Sequence, residues 1–323
     1  MIRTLSRRFL FLSLTLLIAL ATAAQTSPIT SAELNKNAAL VHTGPLWLRL
    51  TAISPTAFRV EYSQSRKFSK HSSFAVLPAA TTNGPNLQRH ATKDGEAFST
   101  GKISAVIGHT GILTFIDASG YVISSDKPGF SVQFHGPAFR VYKSMPIDEH
   151  YFGLGDKADA IDHRSQAFTM WNTDAYGWVG GSDPLYKSIP FFLALRQGKS
   201  YGIYLDNTYR TSFDFGKEAS DMYSYGSTGG ALDYYFFYGP DPKSVISQYT
   251  ALTGHTPLPP RWALGYQQSR YSYYPESRVY EIAKELREHH IPTDALYLDI
   301  DYLQGYRAFD INRRYFPTFE KMV

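Results

Sequence analysis

The 323-residue sequence contains no cysteine, so neither disulfides nor thiolate metal sites are available to it. It also lacks an Asn-x-Ser/Thr glycosylation acceptor, which fits bacterial export better than a eukaryotic secretory route. No HExxH pair or comparable His/acid spacing occurs, and His289-His290 are neighbours on a helix face rather than a ligand pair. There is no nucleophile elbow. Gly153-Leu154-Gly155-Asp156 lacks the third glycine and the following helix of a dinucleotide site. Neither a metal nor a cofactor is therefore expected. Excess charge is scarce too: the formal +4 includes Arg3, Arg7 and Arg8 at the extreme N-terminus, leaving no basic field that would suggest nucleic acid as a partner.

What is present is a globular composition, 43% apolar and 19% charged, which excludes a disordered, collagen-like or coiled-coil chain. Aromatic residues make up 15%, with 24 Tyr. Such flat amphipathic rings serve β-sheet faces and also sites that stack on sugars or bases.

Residues 1–24 read as a secretory signal. The three arginines form a positive n-region, Phe9 to Leu20 is apolar but for Ser13 and Thr15, and Ala21-Thr22-Ala23-Ala24 offers a small-residue cleavage site. The apolar run is shorter than the ~20 residues a membrane span needs. The expectation is an exported protein, in the bacterial periplasm or secreted, with no span after signal removal.

Residues 25–255 read as a β-sandwich domain. Short runs rich in β-branched and aromatic residues, among them Leu46 to Ile53, Ala57 to Tyr62, Ile103 to Ile107, Phe130 to Phe134, Ser188 to Arg196, Thr208 to Phe215 and Leu232 to Tyr238, are punctuated by Gly, Pro, Asn and Ser. In Phe58-Arg59-Val60-Glu61-Tyr62 the apolar residues take one face and the charges the other. From about residue 40 to 240 no helical stretch interrupts the strands. Thr256-Pro257-Leu258-Pro259-Pro260 then reads as a stiff linker, since its prolines cannot sit inside a sheet.

Residues 256–323 change texture. A strand from Trp262 to Gln267 leads through the polar aromatic loop Ser269 to Tyr274 into a helix opened by Pro275. Val279, Ile282, Ala283 and Leu286 make one apolar stripe on that helix, while Lys284, Glu285, Arg287 and Glu288 face water. Pro292 closes it, and Ala295 to Ile300 forms a near-continuous apolar strand. This spacing predicts a βαβ unit with a buried parallel pair. Two strands and one helix leave both sheet edges open, so the second domain is expected to be incomplete at Val323.

Acids at the carboxyl ends of parallel strands are functional candidates by position, which singles out Asp299 and, more weakly, Asp301; the competing reading is that one of them caps the next loop. A calcium loop is excluded because Leu303 and Gln304 stand where an oxygen ligand and an invariant Gly are needed. The second candidate is Trp171-Asn172-Thr173-Asp174-Ala175-Tyr176-Gly177-Trp178. Asn172 and Asp174 could not be buried without partners, so a ligand-contacting loop fits, against an aromatic corner plugging the sandwich. The Ser269 to Tyr274 loop would line the same mouth as Asp299.

With these segments in view the chain resembles glycoside hydrolase family 31, the retaining α-glucosidase family. The resemblance rests on Tyr151-Phe152-Gly153-Leu154-Gly155-Asp156, Phe168-Thr169-Met170-Trp171-Asn172-Thr173-Asp174, Pro184-Leu185-Tyr186-Lys187-Ser188-Ile189-Pro190-Phe191, Trp262-Ala263-Leu264-Gly265 and Asp299-Ile300-Asp301-Tyr302, in that order. It implies a galactose-mutarotase-like β-sandwich followed by the first βαβ unit of an incomplete (β/α)8 TIM barrel, a substrate of α-glucoside oligosaccharides, and no cofactor. It further implies that Asp299 hydrogen-bonds the non-reducing glucose with Ile300 packed beside it. Asp174 would reach the same sugar from the sandwich, and Tyr271 would form an aromatic wall of the pocket. Asp-Ile-Asp-Tyr is more similar to the α-glucosidase than to the α-xylosidase branch; Leu303 stands where the family often has Met.

The family's nucleophile lies in a Trp-x-Asp-Met-Asn/Asp-Glu segment with the acid/base further on. Neither segment occurs here, and the only Asp-Met pair, Asp221-Met222, is in the sandwich. The catalytic carboxylates are therefore expected beyond Val323, and the chain alone is expected to be inactive. The functional expectation is the N-terminal portion of a retaining exo-α-glucosidase. A family member of other specificity, α-xylosidase or transglucosylase, and a non-catalytic carbohydrate-binding sandwich are the alternatives.

Overall fold

The computed structural model describes residues 29–69 and 73–323, and the expected signal at 1–24 lies outside them. The chain divides into two compact units between Gly254 and His255. Among the described residues no helix is long and apolar enough to cross a membrane.

The first unit is built on an antiparallel eight-stranded sheet in the order Ile29–Asn35, Ala38–Thr43, Leu46–Ser54, Ala57–Ser63, Leu232–Gly239, Lys199–Leu205, Ser188–Arg196 and His150–Gly155. Two five-stranded sheets accompany it. One runs Gln88–Thr92, Gly95–Ser99, Ile103–Gly108, Leu113–Asp117 and Val122–Ser125; the other runs Val132–His135, Ala138–Ser144, Met222–Ser227, Thr211–Asp214 and Ala167–Met170. Alternation explains the packing: Leu48, Leu50 and Ala52 are fully buried, as are Phe58 and Val60, and all join a core shared with residues of both smaller sheets. Phe115 stacks on Phe236 across that core with ring centroids 3.8 Å apart.

The large sheet is covered on its other face as well. Ala57, Phe191, Leu193, Tyr204, Tyr235 and Phe237 pack with Val245 and Leu252 of a helix, Pro242–Thr253. This helix follows the run of strands read from about residue 40 to 240 and completes the first unit. Asp241 caps it by accepting the Ser244 N–H at 2.9 Å, and Pro242 opens its first turn. The expected charged face of the Ala57–Ser63 strand is not in water either. Glu61 is only 3% exposed and pairs with Arg49, while Arg59 donates through Nε to Asp233 at 3.0 Å. Phe68 lies over the Arg49 guanidinium, 4.4 Å from ring centroid to Cζ. Burial raises the Asp233 carboxyl, against the Arg59 guanidinium that favours its charged form.

Two other strands begin later than expected, at Val132 and at Thr211. The second has a local cause: the Asn207 side chain accepts the Tyr209 N–H at 2.7 Å and turns the chain before the strand starts.

The second unit contains the expected βαβ crossover: strands Gln267–Gln268 and Ala295–Leu296 are parallel, with the helix Glu276–Glu288 between them. Val279 is buried and Ile282, Ala283 and Leu286 half-buried, as the stripe predicts. Both strands are shorter and less buried than expected. Arg261–Leu264 forms a 3-10 turn after the prolines, with the Ala263 N–H donated to Pro260 O. The second strand hydrogen-bonds as far as Tyr297, whose N–H reaches Gln268 O, and Asp299 and Ile300 then lie in a turn. Tyr273, Val279 and Phe316 form the core of this unit, with Leu296 and Leu298 packed against it. Glu276 accepts the Thr318 N–H at 2.9 Å and so ties the last segment to the start of the helix.

Candidate functional site

Parallel strands send their carboxyl ends to one edge, and the loops that follow share that edge. The loop after Gln267–Gln268 carries Tyr271, and the turn after Ala295–Leu296 carries Asp299 and Ile300. In the first loop, Tyr273 is turned inward and its hydroxyl accepts Gln268 Nε2 at 2.9 Å. That anchor leaves Tyr271 outward and exposed. In the second, Asp299 is held at φ 60°, in the left-handed region that is uncommon for a residue with a side chain. Its carboxylate is exposed and has no hydrogen bond or ion pair among the described residues. Ile300 is partly exposed beside it.

The capping alternative does not hold for either acid. Asp299 accepts nothing, and Asp301 accepts a side-chain hydroxyl, Tyr306 Oη at 3.3 Å, rather than a backbone N–H. The Asp301 carboxylate holds the Tyr306 phenol above its ordinary value, with Tyr271 and Tyr274 contributing to the same field. Tyr306 therefore stands beside Asp301, in the turn that follows the second strand. This neighbour was not legible in the sequence because Tyr306 approaches through a loop turn five residues after Asp301.

Asp174 belongs to the first unit, on the loop between Ala167–Met170 and Ser188–Arg196. The aromatic-plug alternative fails: Trp171, Tyr176 and Trp178 are all exposed. The loop is nevertheless held. Asn172 Oδ1 accepts the Ser188 N–H at 3.0 Å, the Thr173 N–H reaches Leu185 O, and Gly181 N–H reaches Ala158 O. Beneath it, buried Lys157 donates to Asp183 Oδ1 at 2.7 Å and to Thr169 O at 3.2 Å. Lys157 and Asp183 escaped the sequence reading because their pairing spans 26 residues. The Asp174 carboxylate, like that of Asp299, is exposed without a partner among the described residues.

Exposed carboxylates that accept nothing from the protein are free to accept hydroxyl hydrogens, and exposed rings beside them offer apolar stacking. Such groups suit a polyhydroxylated ligand. No three His, Asp or Glu side chains gather to hold a metal among the described residues.

The chain is 46% identical over 203 residues to Alpha-glucosidase 2 of Bacillus thermoamyloliquefaciens, covering 62% of this chain and 26% of that protein. It is 33% identical over 215 residues to Alpha-xylosidase XylQ of Lactiplantibacillus pentosus, covering 64% and 27%. Among solved structures it superposes on a Flavobacterium johnsoniae GH31 dextranase complexed with isomaltotriose at a TM-score of 0.83 and 31% identity, covering 92% of this chain and 38% of that one. The chain thus spans well under half the length of these relatives. Residues 48–214 match the glycosyl hydrolase 31 N-terminal galactose mutarotase-like domain and residues 256–323 the glycosyl hydrolases family 31 TIM-barrel domain. With a β-sandwich and a βαβ crossover each matched in its own right and in the family's order, the chain belongs to glycoside hydrolase family 31.

Proposed function

We propose that this chain supplies substrate-binding elements of an exported, retaining exo-α-glucosidase that releases terminal α-linked glucose from oligosaccharides. The observation that carries the reading is Asp299, an exposed and unpartnered carboxylate on the same edge of a parallel strand pair as the Tyr271 ring. In this reading Asp299 accepts charge-assisted hydrogen bonds from the hydroxyls of the terminal glucose, Ile300 packs on its apolar side and Tyr271 walls the pocket. Asp174 is assigned to binding the same class of substrate. Support for glucose comes from the relative named an alpha-glucosidase at 46% identity.

Retaining hydrolysis needs two carboxylates about 5–5.5 Å apart, one as nucleophile and one as acid/base. The family segments that carry them do not occur in residues 1–323. We assign both to sequence following Val323 and expect the 323-residue chain alone to release no 4-nitrophenol from its α-glucoside. Sustained release by the purified chain would overturn that assignment. An α-xylosidase specificity is the second reading, supported by the relative named XylQ; side-by-side kinetics on 4-nitrophenyl α-glucoside and α-xyloside in the active protein decide between them. Export is tested by fusing residues 1–24 to a reporter that matures only outside the cytoplasm. An inactive fusion would argue against a signal.

A further inference from the structure

A cleft of about 700 Å³ opens in the first unit, lined among others by Trp171, Asn172, Asp206, Tyr209, Thr211 and Asp233. It draws on none of the residues of the second unit.

Tyr209 is a seated, solvent-facing ring in it. Asn207 holds the Tyr209 N–H through Oδ1 and donates from Nδ2 to Gly229 O at 2.9 Å and Ala231 O at 3.0 Å. A Cβ on Gly229 would stand 2.8 Å from Tyr209 Cε1, and one on Gly230 2.9 Å from Cδ2. The two glycines thus lie under opposite edges of the ring, which rests flat across their turn. Only glycine allows that approach. The other side of the ring is open, leaving Tyr209 56% exposed. Trp171 is the second ring, 50% exposed, with the Arg210 guanidinium 5.9 Å from its centroid. Rings immobilised before a ligand arrives lose little entropy on binding.

The polar groups around them have unused capacity. Asn172 spends its oxygen on Ser188, and its amide N–H groups have no partner among the described residues. Asp206 uses Oδ1 for Ser73 Oγ at 2.7 Å and Tyr204 Oη at 3.3 Å, leaving Oδ2 open. Thr211 is 1% exposed, and its hydroxyl has no hydrogen-bond partner. Asp233 is matched by Arg59, and the residues lining the cleft include no other acid than Asp206 and no basic side chain. A phosphate-bearing ligand would meet two acids and no basic side chain in that lining. A neutral pyranose fits instead: one apolar C–H face for a ring, and a rim of hydroxyls for an amide, a carboxylate and a hydroxyl.

We propose that this cleft is a carbohydrate-binding site of the β-domain, taking neutral hexose units of an oligosaccharide by stacking on Tyr209 and Trp171, with the sugar hydroxyls accepting from the Asn172 amide, donating to the Asp206 carboxylate and bonding the Thr211 hydroxyl. It goes beyond the assignment of Asp299 and does not depend on it.

Isothermal titration of the 323-residue chain with maltotetraose and with isomaltotriose tests this. At least one sugar is expected to bind saturably at about 1 mM or tighter. Tyr209→Ala should weaken it by about tenfold or more, while Tyr209→Phe, which keeps the ring, stays within about threefold. Asp206→Ala, which leaves the platform intact, should weaken it by about fivefold or more and gives the answer if Tyr209→Ala does not fold. The proposal is overturned by binding of neither sugar, or by folded Tyr209→Ala or Asp206→Ala proteins that bind like the parent, which would place the sugar elsewhere on the chain.

Discussion

Lys157 Nζ lies 2.7 Å from Asp183 Oδ1, and the other oxygen of the same carboxylate accepts the Thr169 N–H at 2.6 Å. One acid just beyond the Trp171 to Trp178 loop is thereby fastened to a lysine and to the strand that precedes the loop. Both feet of the loop that carries Asp174 are tied to one buried ammonium.

Removing the acid should therefore be costly. Asp183→Ala leaves Lys157 buried against Phe168 without its counter-charge, and a loss of about 3 kcal/mol in unfolding free energy is expected. Hydrogen exchange across residues 171–182 should accelerate in the same variant. Urea unfolding and exchange mass spectrometry check the two effects; a parent-like midpoint with parent-like exchange would refute the clamp.

The helix Pro242–Thr253 makes a separate prediction about packing. At Gly202, in the strand beneath it, a Cβ would stand 2.7 Å from Val245 Cγ1 and 2.8 Å from Phe191 Cε2. Gly202→Ala should overpack this face and cost about 1–3 kcal/mol, read from the denaturation midpoint. An unchanged midpoint would mean that the helix does not seat this closely.

Asp117 predicts a pH dependence. Burial opposes its charge, but hydrogen bonds from Lys199 and Ser119, the Tyr121 N–H and Tyr238 Oη hold the carboxyl far below its ordinary value of 3.8. A depressed folded-state value contributes stability that is full above the unfolded value and is lost as pH falls through the folded one. Asp117→Asn should thus lower Tm at neutral pH, and the gap to the parent should narrow as pH drops below 3.8. A gap of constant size from pH 7 to the acid limit would contradict this origin.

How much of this was legible in the sequence depends on whether the signal is local. Ser188–Arg196 was readable end to end because its own residues are strand formers with buried neighbours. Gln88–Thr92 was not, since all five residues are exposed, four of them are polar, and the backbone pairing to Gly95–Ser99 makes them a strand. The helix after Asp241-Pro242 did carry a local signal, a capping acid followed by a first-turn proline, and was overlooked amid strand-like surroundings. The second-unit strands were read too long because apolar composition marks burial, while strand extent follows hydrogen-bond partners, which end at Tyr297. Asp174, Tyr271, Asp299 and Ile300 could be named from their motifs. Lys157, Asp183, Tyr209 and Tyr306 could not, because each acquires its role from a fold-dependent neighbour.

The most direct test of the proposed function joins residues 29–323 to the remaining barrel of the Bacillus thermoamyloliquefaciens relative, 46% identical over the shared part, and measures kcat/KM on 4-nitrophenyl α-glucoside. The chimera should hydrolyse the substrate, and Asp299→Ala within it should lower kcat/KM by about two orders of magnitude or more, through loss of charge-assisted hydrogen bonds to the sugar. An active chimera whose kcat/KM is unchanged by Asp299→Ala would contradict the account.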